Sequence, residues 1–242
     1  MHILIATPTY GGTGPEYIGA VMRLQAWLLA QSATVGVMHH SMAEVHRSRN
    51  LIASLFHERA DMTHLLFVDN DMAFEPETVG ALIASDKPLV GCIYPRRGLD
   101  LDRLIAAARR EDDKGRILAA AMDYVVKTLP GPLEIEDGLC RVQGLGMGLC
   151  LIRREVFTGL AAAGRLSQDP DYALGRGLKG PVLGFFDPLP IPTGWQAEDL
   201  SFCERWIRDC GGEVWARVDQ AVGHVGVMVY RSRFIDALSP GG

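Results

Sequence analysis

The sequence has no apolar run near the roughly 20 residues that a membrane-crossing helix needs, which excludes a helical span. Its opening, MHILIATPTY, lacks the charged start, long apolar stretch and cleavage site of a secretory signal, and reads as a strand. Cysteine is sparse and odd in number: Cys92, Cys140, Cys150, Cys203 and Cys210 form no CxxC, so neither a zinc site nor a disulfide framework is signalled. A reducing, cytoplasmic setting is the expectation. Basic charge is also short, with 24 Lys and Arg against 29 Asp and Glu and a net charge of −5. That balance excludes a phosphate-tracking nucleic-acid surface and leaves Arg231-Ser232-Arg233 as a local basic cluster. There is no internal repeat and no low-complexity tract.

What is present is an ordinary globular composition, 48% apolar and 22% charged over 242 residues. A chain of this length buries about 70% of its unfolded surface, so a substantial core is expected. MHILIATPTY opens into the turn GGTG, and PEYIGAVMRLQAWLLAQ then carries helical periodicity. ATVGVMHH reads as a second strand. Ser41 and Glu44 match a capping box that starts the helix containing RSRNLIASLFHE. HLLFVDND is a third strand, PETVGALIAS a helix with Pro76 in its first turn, and PLVGCIYP a fourth strand. Alternating strands and helices predict an α/β fold, a mostly parallel central sheet flanked by helices, with ligands beyond the carboxyl ends of the strands.

From 96 to 140 the pattern changes to a charge-rich helical piece, LDRLIAAARREDDKGRILAAAMDY, followed by PGPLEIEDG, which reads as an insertion. LCRVQGLGMGLCLIRREVF supplies two strands around a glycine cluster and then a helix start. Residues 167 to 194, rich in Gly, Pro and Asp, read as a long mobile loop near the functional face. AEDLSFCERWIRDCGG is a helix ending at glycines, EVWARVD a strand and AVGHVG a turn carrying His224. The expected organisation is one domain over 1–242: a nucleotide-binding half (1–95), the insertion (96–140), an acceptor half (141–230) and a tail (231–242).

The third strand runs from four apolar residues straight into Asp69-Asn70-Asp71. Two like charges one residue apart repel unless something cationic lies between them, and strand alternation puts both side chains on one face, where they can approach one metal ion. The plainer alternative is that Asp69 starts a turn and Asp71 caps the following helix. Tyr94, Pro95, Arg96 and Arg97 follow the fourth strand, and the two arginines either meet a diphosphate or face water.

Taken in order, TPTY ending a strand, RSRN opening a helix, the DND tripeptide after LLFV, QGLGMGLCLIRREVF, EDLSFCERW and VGHVG resemble a GT-A glycosyltransferase, family 2-like and dependent on a nucleotide sugar. The resemblance spans most of the chain, leaving out 96–140 and 167–194. It implies a Rossmann-like nucleotide-binding half joined to an acceptor half. Within it, Asp71 binds Mn²⁺ or Mg²⁺ directly, Asp69 reaches the ribose and the metal more loosely, and His224 is the third metal ligand. An oxygen-rich set with one imidazole suits those ions better than a thiolate metal. Thr7, Thr9 and Tyr10 lie where the nucleotide base and ribose sit, with Arg49, Asn50 and Asn70 beside them. The Asp of Glu198-Asp199 accepts the acceptor's proton and Glu198 positions the acceptor, although acidic residues also favour helix starts for the dipole alone. Gly144, Gly146 and Gly148 lack the GxGxxG spacing and are expected to make room for a sugar on the acceptor side.

The implied activity is inverting hexosyl transfer from a nucleotide diphosphate sugar, expected to be a UDP-sugar, to a hydroxyl on a lipid-linked saccharide, protein, glycan or small molecule. The alternatives are a non-catalytic nucleotide-sugar or glycan-binding protein of the same fold, and a metal-dependent phosphohydrolase or nucleotidyltransferase. The phosphohydrolase places its DxD at the chain's opening, whereas two strand-helix units precede it here. The nucleotidyltransferase wants basic residues in its first loop, and GGTGPE has none.

Overall fold

A computed structural model describes residues 1–228 and Ile235; the rest of the expected tail, with Arg231-Ser232-Arg233, lies outside the described residues. In chain order the elements are β1 (His2–Thr9), α1 (Pro15–Ala30), β2 (Thr34–Ser41), α2 (Val45–Glu58), β3 (His64–Val68), β4 (Met72–Ala73), α3 (Pro76–Ala84), β5 (Leu89–Cys92), α4 (Leu101–Ala108), α5 (Lys114–Ala120), β6 (Val126–Thr128) and β7 (Leu139–Leu145). They continue as β8 (Leu149–Arg153), α6 (Arg154–Ala162), β9 (Gln168–Asp169), α7 (Pro170–Ala173), β10 (Val182–Leu183), β11 (Leu189–Ile191), β12 (Gly194–Gln196), α8 (Glu198–Cys210), β13 (Val214–Arg217) and β14 (Gly223–His224).

Eight strands form one sheet in the order β2-β1-β3-β8-β5-β13-β7-β6. Six of them point the same way; β7 and β8 run against their neighbours. The fold is therefore α/β with a mostly parallel sheet, as the alternation of elements predicts. Period-two alternation divides the core. In β1, Leu4 and Ala6 face one side and Ile3 and Ile5 the other; in β3, Leu65 and Phe67 oppose Leu66 and Val68. The first face is covered by α2, α6 and α8 through Ile52, Phe56, Phe157 and Phe202, the second by α1 and α3 through Leu24, Leu28, Val79 and Leu82. Strands covered on both faces carry continuous apolar runs, which is why LLFV has no polar alternation.

β2 and β3 flank β1 on opposite sides, so the order reverses at β1 and opens a crevice beyond its carboxyl end. Thr9 and the DND tripeptide border that crevice.

Three local expectations change. Ser41 remains the last residue of β2, and α2 begins at Val45 with Glu44 as an N-cap that makes no side-chain cap bond, so there is no capping box. Strand pairing of Ser41 with Thr9 holds it in extended backbone, out of reach of a helix N-terminus. The 96–140 segment breaks into two helices at Glu111-Asp112-Asp113, where Asp113 caps α5, and it adds β6 to the edge of the sheet. Residues 167–194 are not a free loop. Phe185 and Phe186 are fully buried, Leu183 N–H donates to Ser54 Oγ at 2.9 Å, and Glu58 accepts from the N–H groups of Lys179 and Gly180.

Candidate active site

β3 ends at Val68, and the next residues form a turn in which Met72 N–H donates to Asp69 O at 3.1 Å. Strand alternation stops there, so the two carboxylates do not share a face. Asp69 turns toward α2, where Arg49 Nη2 donates to both its oxygens at 2.9 and 3.1 Å. The Arg49 side chain is only 4% exposed; its Nε also lies 3.5 Å from Glu198 Oε1 at the start of α8, and Nη1 reaches the Met147 carbonyl at 3.5 Å. Burial works against the guanidinium's charge, but Asp69 and Glu198 hold it protonated above its ordinary value. Burial, the largest influence on Asp69, pushes that carboxyl upward and Arg49 opposes it.

Asp199 follows Glu198 on the first turn of α8. Burial, then the adjacent Glu198 charge, lifts its carboxyl to about 6. A base with that pKa is ionised at neutral pH and still more basic than an ordinary carboxylate.

Asp71 turns the other way. β14 pairs antiparallel with β4, setting His224 opposite Met72 and bringing a side chain from 153 residues away to 3.2 Å from Asp71 Oδ2. The imidazole Nδ1 lies 2.9 Å from the Pro95 carbonyl, which can only accept, so Nδ1 carries a proton and Nε2 faces the carboxylate. Tyr94 packs edge-on against the ring at 5.4 Å. Arg97 Nη1 meets the same Asp71 oxygen at 3.1 Å. Burial alone would raise Asp71, but the His224 hydrogen bond and the Arg97 charge hold it below its ordinary range; Asp71 in turn holds His224 above 6.5.

Cis ligands bonded at about 2.1 Å to an octahedral ion stand about 3 Å apart. The 3.2 Å between Asp71 Oδ2 and His224 Nε2 is a hydrogen-bond separation that also matches that edge, so this carboxylate and imidazole are the residues that could hold a divalent ion. The expected three-ligand set does not assemble. Asp69 is committed to Arg49, and among the described residues no three His, Cys, Asp or Glu side chains converge.

A cleft of about 270 Å³ lies beside Asp71, lined by Tyr10, Gly12, Glu16, Asn70, Arg97 and Val225 among others. Asn70 Nδ2 donates to Thr9 Oγ1 at 3.1 Å and to Gly12 O at 3.0 Å, tying the DND turn to the first loop. Tyr10 is 78% exposed at the mouth. Thr7 is buried and bonded to the Tyr17 hydroxyl, which places it beneath the cleft and out of contact with any ligand there. Asn50 also faces away: it donates to Asp187 Oδ1 at 2.7 Å and accepts from Phe186 N–H at 2.6 Å, pinning the 185–187 backbone.

The three glycines make room for protein, not for a sugar. A Cβ on Gly144 would stand 2.7 Å from Leu200 of α8, and one on Gly146 or Gly148 would strike the Tyr94 ring. Tyr94 and Arg97 are the residues to which sequence reasoning gave no firm role; the only signal was their place just past a strand's carboxyl end.

No protein-family model and no curated relative matches the sequence. Among solved structures, the chain is similar to A197 from STIV, with TM-score 0.48 and 16% identity, covering 96% of this chain and 98% of that one. It is also similar to GalNAc-T7 with UDP, GalNAc and Mn²⁺ (TM-score 0.46, 13% identity, 92% of this chain and 43% of that one) and to S. aureus TarS 1-349 (0.40, 12%, 92% and 59%). Those last two are longer proteins, of which the chain spans about half. Overlaps at this level describe a shared layout of strands and helices and carry no conclusion about activity.

Proposed function

We propose that the chain is a GT-A-like, metal-assisted glycosyltransferase that moves a sugar from a nucleotide diphosphate sugar, with UDP as the expected nucleotide, to a hydroxyl acceptor with inversion. The observation that carries this reading is the β4–β14 pairing, which sets His224 against Asp71 at the carboxyl edge of the sheet. Neither strand is needed to close the main sheet. Their pairing delivers a carboxylate and an imidazole to the crevice where ligands of such folds bind.

A divalent cation held by Asp71 and His224 would supply positive charge to a diphosphate leaving group. The chain's own groups do the rest. Tyr10 offers an exposed ring at the cleft mouth for the base, and the Asn70 bonds to Thr9 and Gly12 fix the loop that would line the nucleotide. Arg49 locks Asp69 and Glu198 in place. Asp199, lifted to about 6, accepts the proton of the attacking hydroxyl at a carboxylate oxygen, and Glu198 beside it orients the acceptor.

A thermal-shift panel of nucleotide sugars with and without Mn²⁺ tests the reading, followed by nucleotide release measured with the stabilising donor. A ligand that binds only the folded state raises its melting temperature. A metal-dependent shift with turnover supports transfer. A shift without turnover on any acceptor leaves the binding-protein alternative, and no shift with any donor sinks the reading.

A further inference from the structure

Asp71 Oδ2 is met by two nitrogens, His224 Nε2 at 3.2 Å and Arg97 Nη1 at 3.1 Å. His224 fits the resident role, since its other nitrogen is tied to Pro95. Arg97 differs. Its side chain is 55% exposed, it lines the cleft as well as touching Asp71, and its stem lies against Gly226, where a Cβ would come within 2.9 Å of Arg97 Cδ. The backbone under it is fixed, because Arg96 N–H donates to Asp123 O at 2.7 Å and Pro95 bridges to Tyr124. A fixed base with an exposed guanidinium lets the head move while the pivot stays.

We propose that Arg97 is an exchangeable cation: without ligand it neutralises Asp71 where a divalent ion would bind, and when the ion arrives it swings into the cleft to hold the diphosphate of the donor. The inference rests on the glycosyl-transfer reading and adds a residue to it. A guanidinium presents paired N–H donors that match phosphate oxygens, so its release from a carboxylate to a diphosphate exchanges one charge-assisted contact for another. The two ligands then help each other. Arg97, once released from Asp71, would be available to the diphosphate, so binding of either ligand would favour the other.

The test uses Mn²⁺ and inorganic pyrophosphate as probes, so it does not depend on the base or sugar. Free Mn²⁺ is followed by electron paramagnetic resonance, and pyrophosphate binding at saturating Mn²⁺ by calorimetry, on the wild type, Arg97→Gln and Arg97→Lys. Removing a partly exposed competitor should tighten Mn²⁺ binding by Arg97→Gln about two- to fivefold. Loss of a charged hydrogen bond should weaken its pyrophosphate binding about tenfold or more. Arg97→Lys should keep wild-type Mn²⁺ affinity and recover part of the pyrophosphate affinity. Opposite shifts are the signature, since a folding defect weakens both. The proposal is overturned if Arg97→Gln leaves either affinity unchanged or weakens both. If the wild type binds pyrophosphate and Mn²⁺ and Arg97→Gln matches it, only this inference falls; if the wild type binds neither, the parent reading falls with it.

Discussion

Two charge clusters flank the turn at the end of β3. Around Asp69 the partner is a buried arginine from the middle of a helix, bonded to both carboxylate oxygens and sharing its charge with Glu198. Around Asp71 the partners are a half-exposed arginine from a loop and a histidine from a two-residue strand. In the first cluster Arg49 and Glu198 stand on α2 and α8 and Asp69 directly follows β3, and its cation is buried. The second is assembled by the β4–β14 pairing, outside the main sheet, and faces a cleft. Identical side chains two positions apart thus take different duties: a charge paired with a buried cation holds structure, whereas a charge at a rim with exchangeable partners can hold a ligand.

The largest effect should come from breaking the buried cluster. Arg49→Met leaves Asp69 and Glu198 without their cation, and stranding charges of that kind costs about 3–5 kcal/mol. Urea unfolding should show a loss of that size. A change under about 1 kcal/mol would mean that the pair is solvated enough to belong with the rim cluster.

Asp199→Asn sharpens the comparison on α8. If Asp199 is the base, turnover should fall by about a hundredfold or more, while donor affinity stays nearly unchanged. The wild-type rate should fall away below about pH 6, where the carboxyl takes up its proton. Stability moves the other way. A carboxyl lifted from 3.8 to about 6 binds more protons folded than unfolded between those values, so folding stability drops as pH rises through that window. The asparagine variant should therefore be more stable than wild type above pH 6, by on the order of 2–3 kcal/mol. Equal melting at pH 5 and pH 8 in both proteins would contradict it.

The layout of the fold was legible because it rests on local signals. Pro76 in the first turn of α3 and the glycines that end AEDLSFCERWIRDCGG, with Gly211 in the left-handed region, mark helix ends that the structure keeps. The pairing of His224 with Asp71 was reached through family resemblance, since no local rule joins residues 153 apart. Asp69 was misplaced toward Asp71 because alternation was carried three residues past the strand's end, to Asp71. Gly144, Gly146 and Gly148 were read as space for a ligand, yet the space belongs to Leu200 and Tyr94. Small residues report that something is close; the sequence does not say whether it is a ligand or the protein itself. Asn50 illustrates the same limit, its amide spent on holding Phe186 and Asp187.

At the rim, His224→Ala should weaken Mn²⁺ binding about tenfold or more with little change in stability. Asp71 holds the imidazolium proton above its ordinary 6.5, so the metal must displace a proton. Apparent Mn²⁺ affinity of the wild type should accordingly rise with pH through the range above 6.5, and that rise should vanish in His224→Ala. The sign for folding is separate. A raised histidine pKa contributes stability fully present below 6.5 and lost as pH rises through the folded value, so the rim pair is strongest in acid as long as Asp71 stays ionised. A metal affinity independent of pH in the wild type would remove His224 from the ligand set.

The smallest expected effect tests the joint between the clusters. Tyr94 touches both: its hydroxyl accepts from Gly148 N–H at 3.1 Å, Gly148 O accepts from Asp69 N–H at 2.9 Å, and its ring lies against His224. Burial pushes the phenol well above its ordinary range, so it stays neutral and serves as an acceptor. Tyr94→Phe keeps the ring and leaves one buried N–H unpaired, a loss of about 1 kcal/mol. Because the ring contact survives, Mn²⁺ affinity should change by less than about twofold, and the melting temperature should fall by about 2–4 °C. If instead metal affinity falls as far as in His224→Ala while stability holds, the hydroxyl transmits the position of the Asp69 turn to the rim, and the two clusters act as one site.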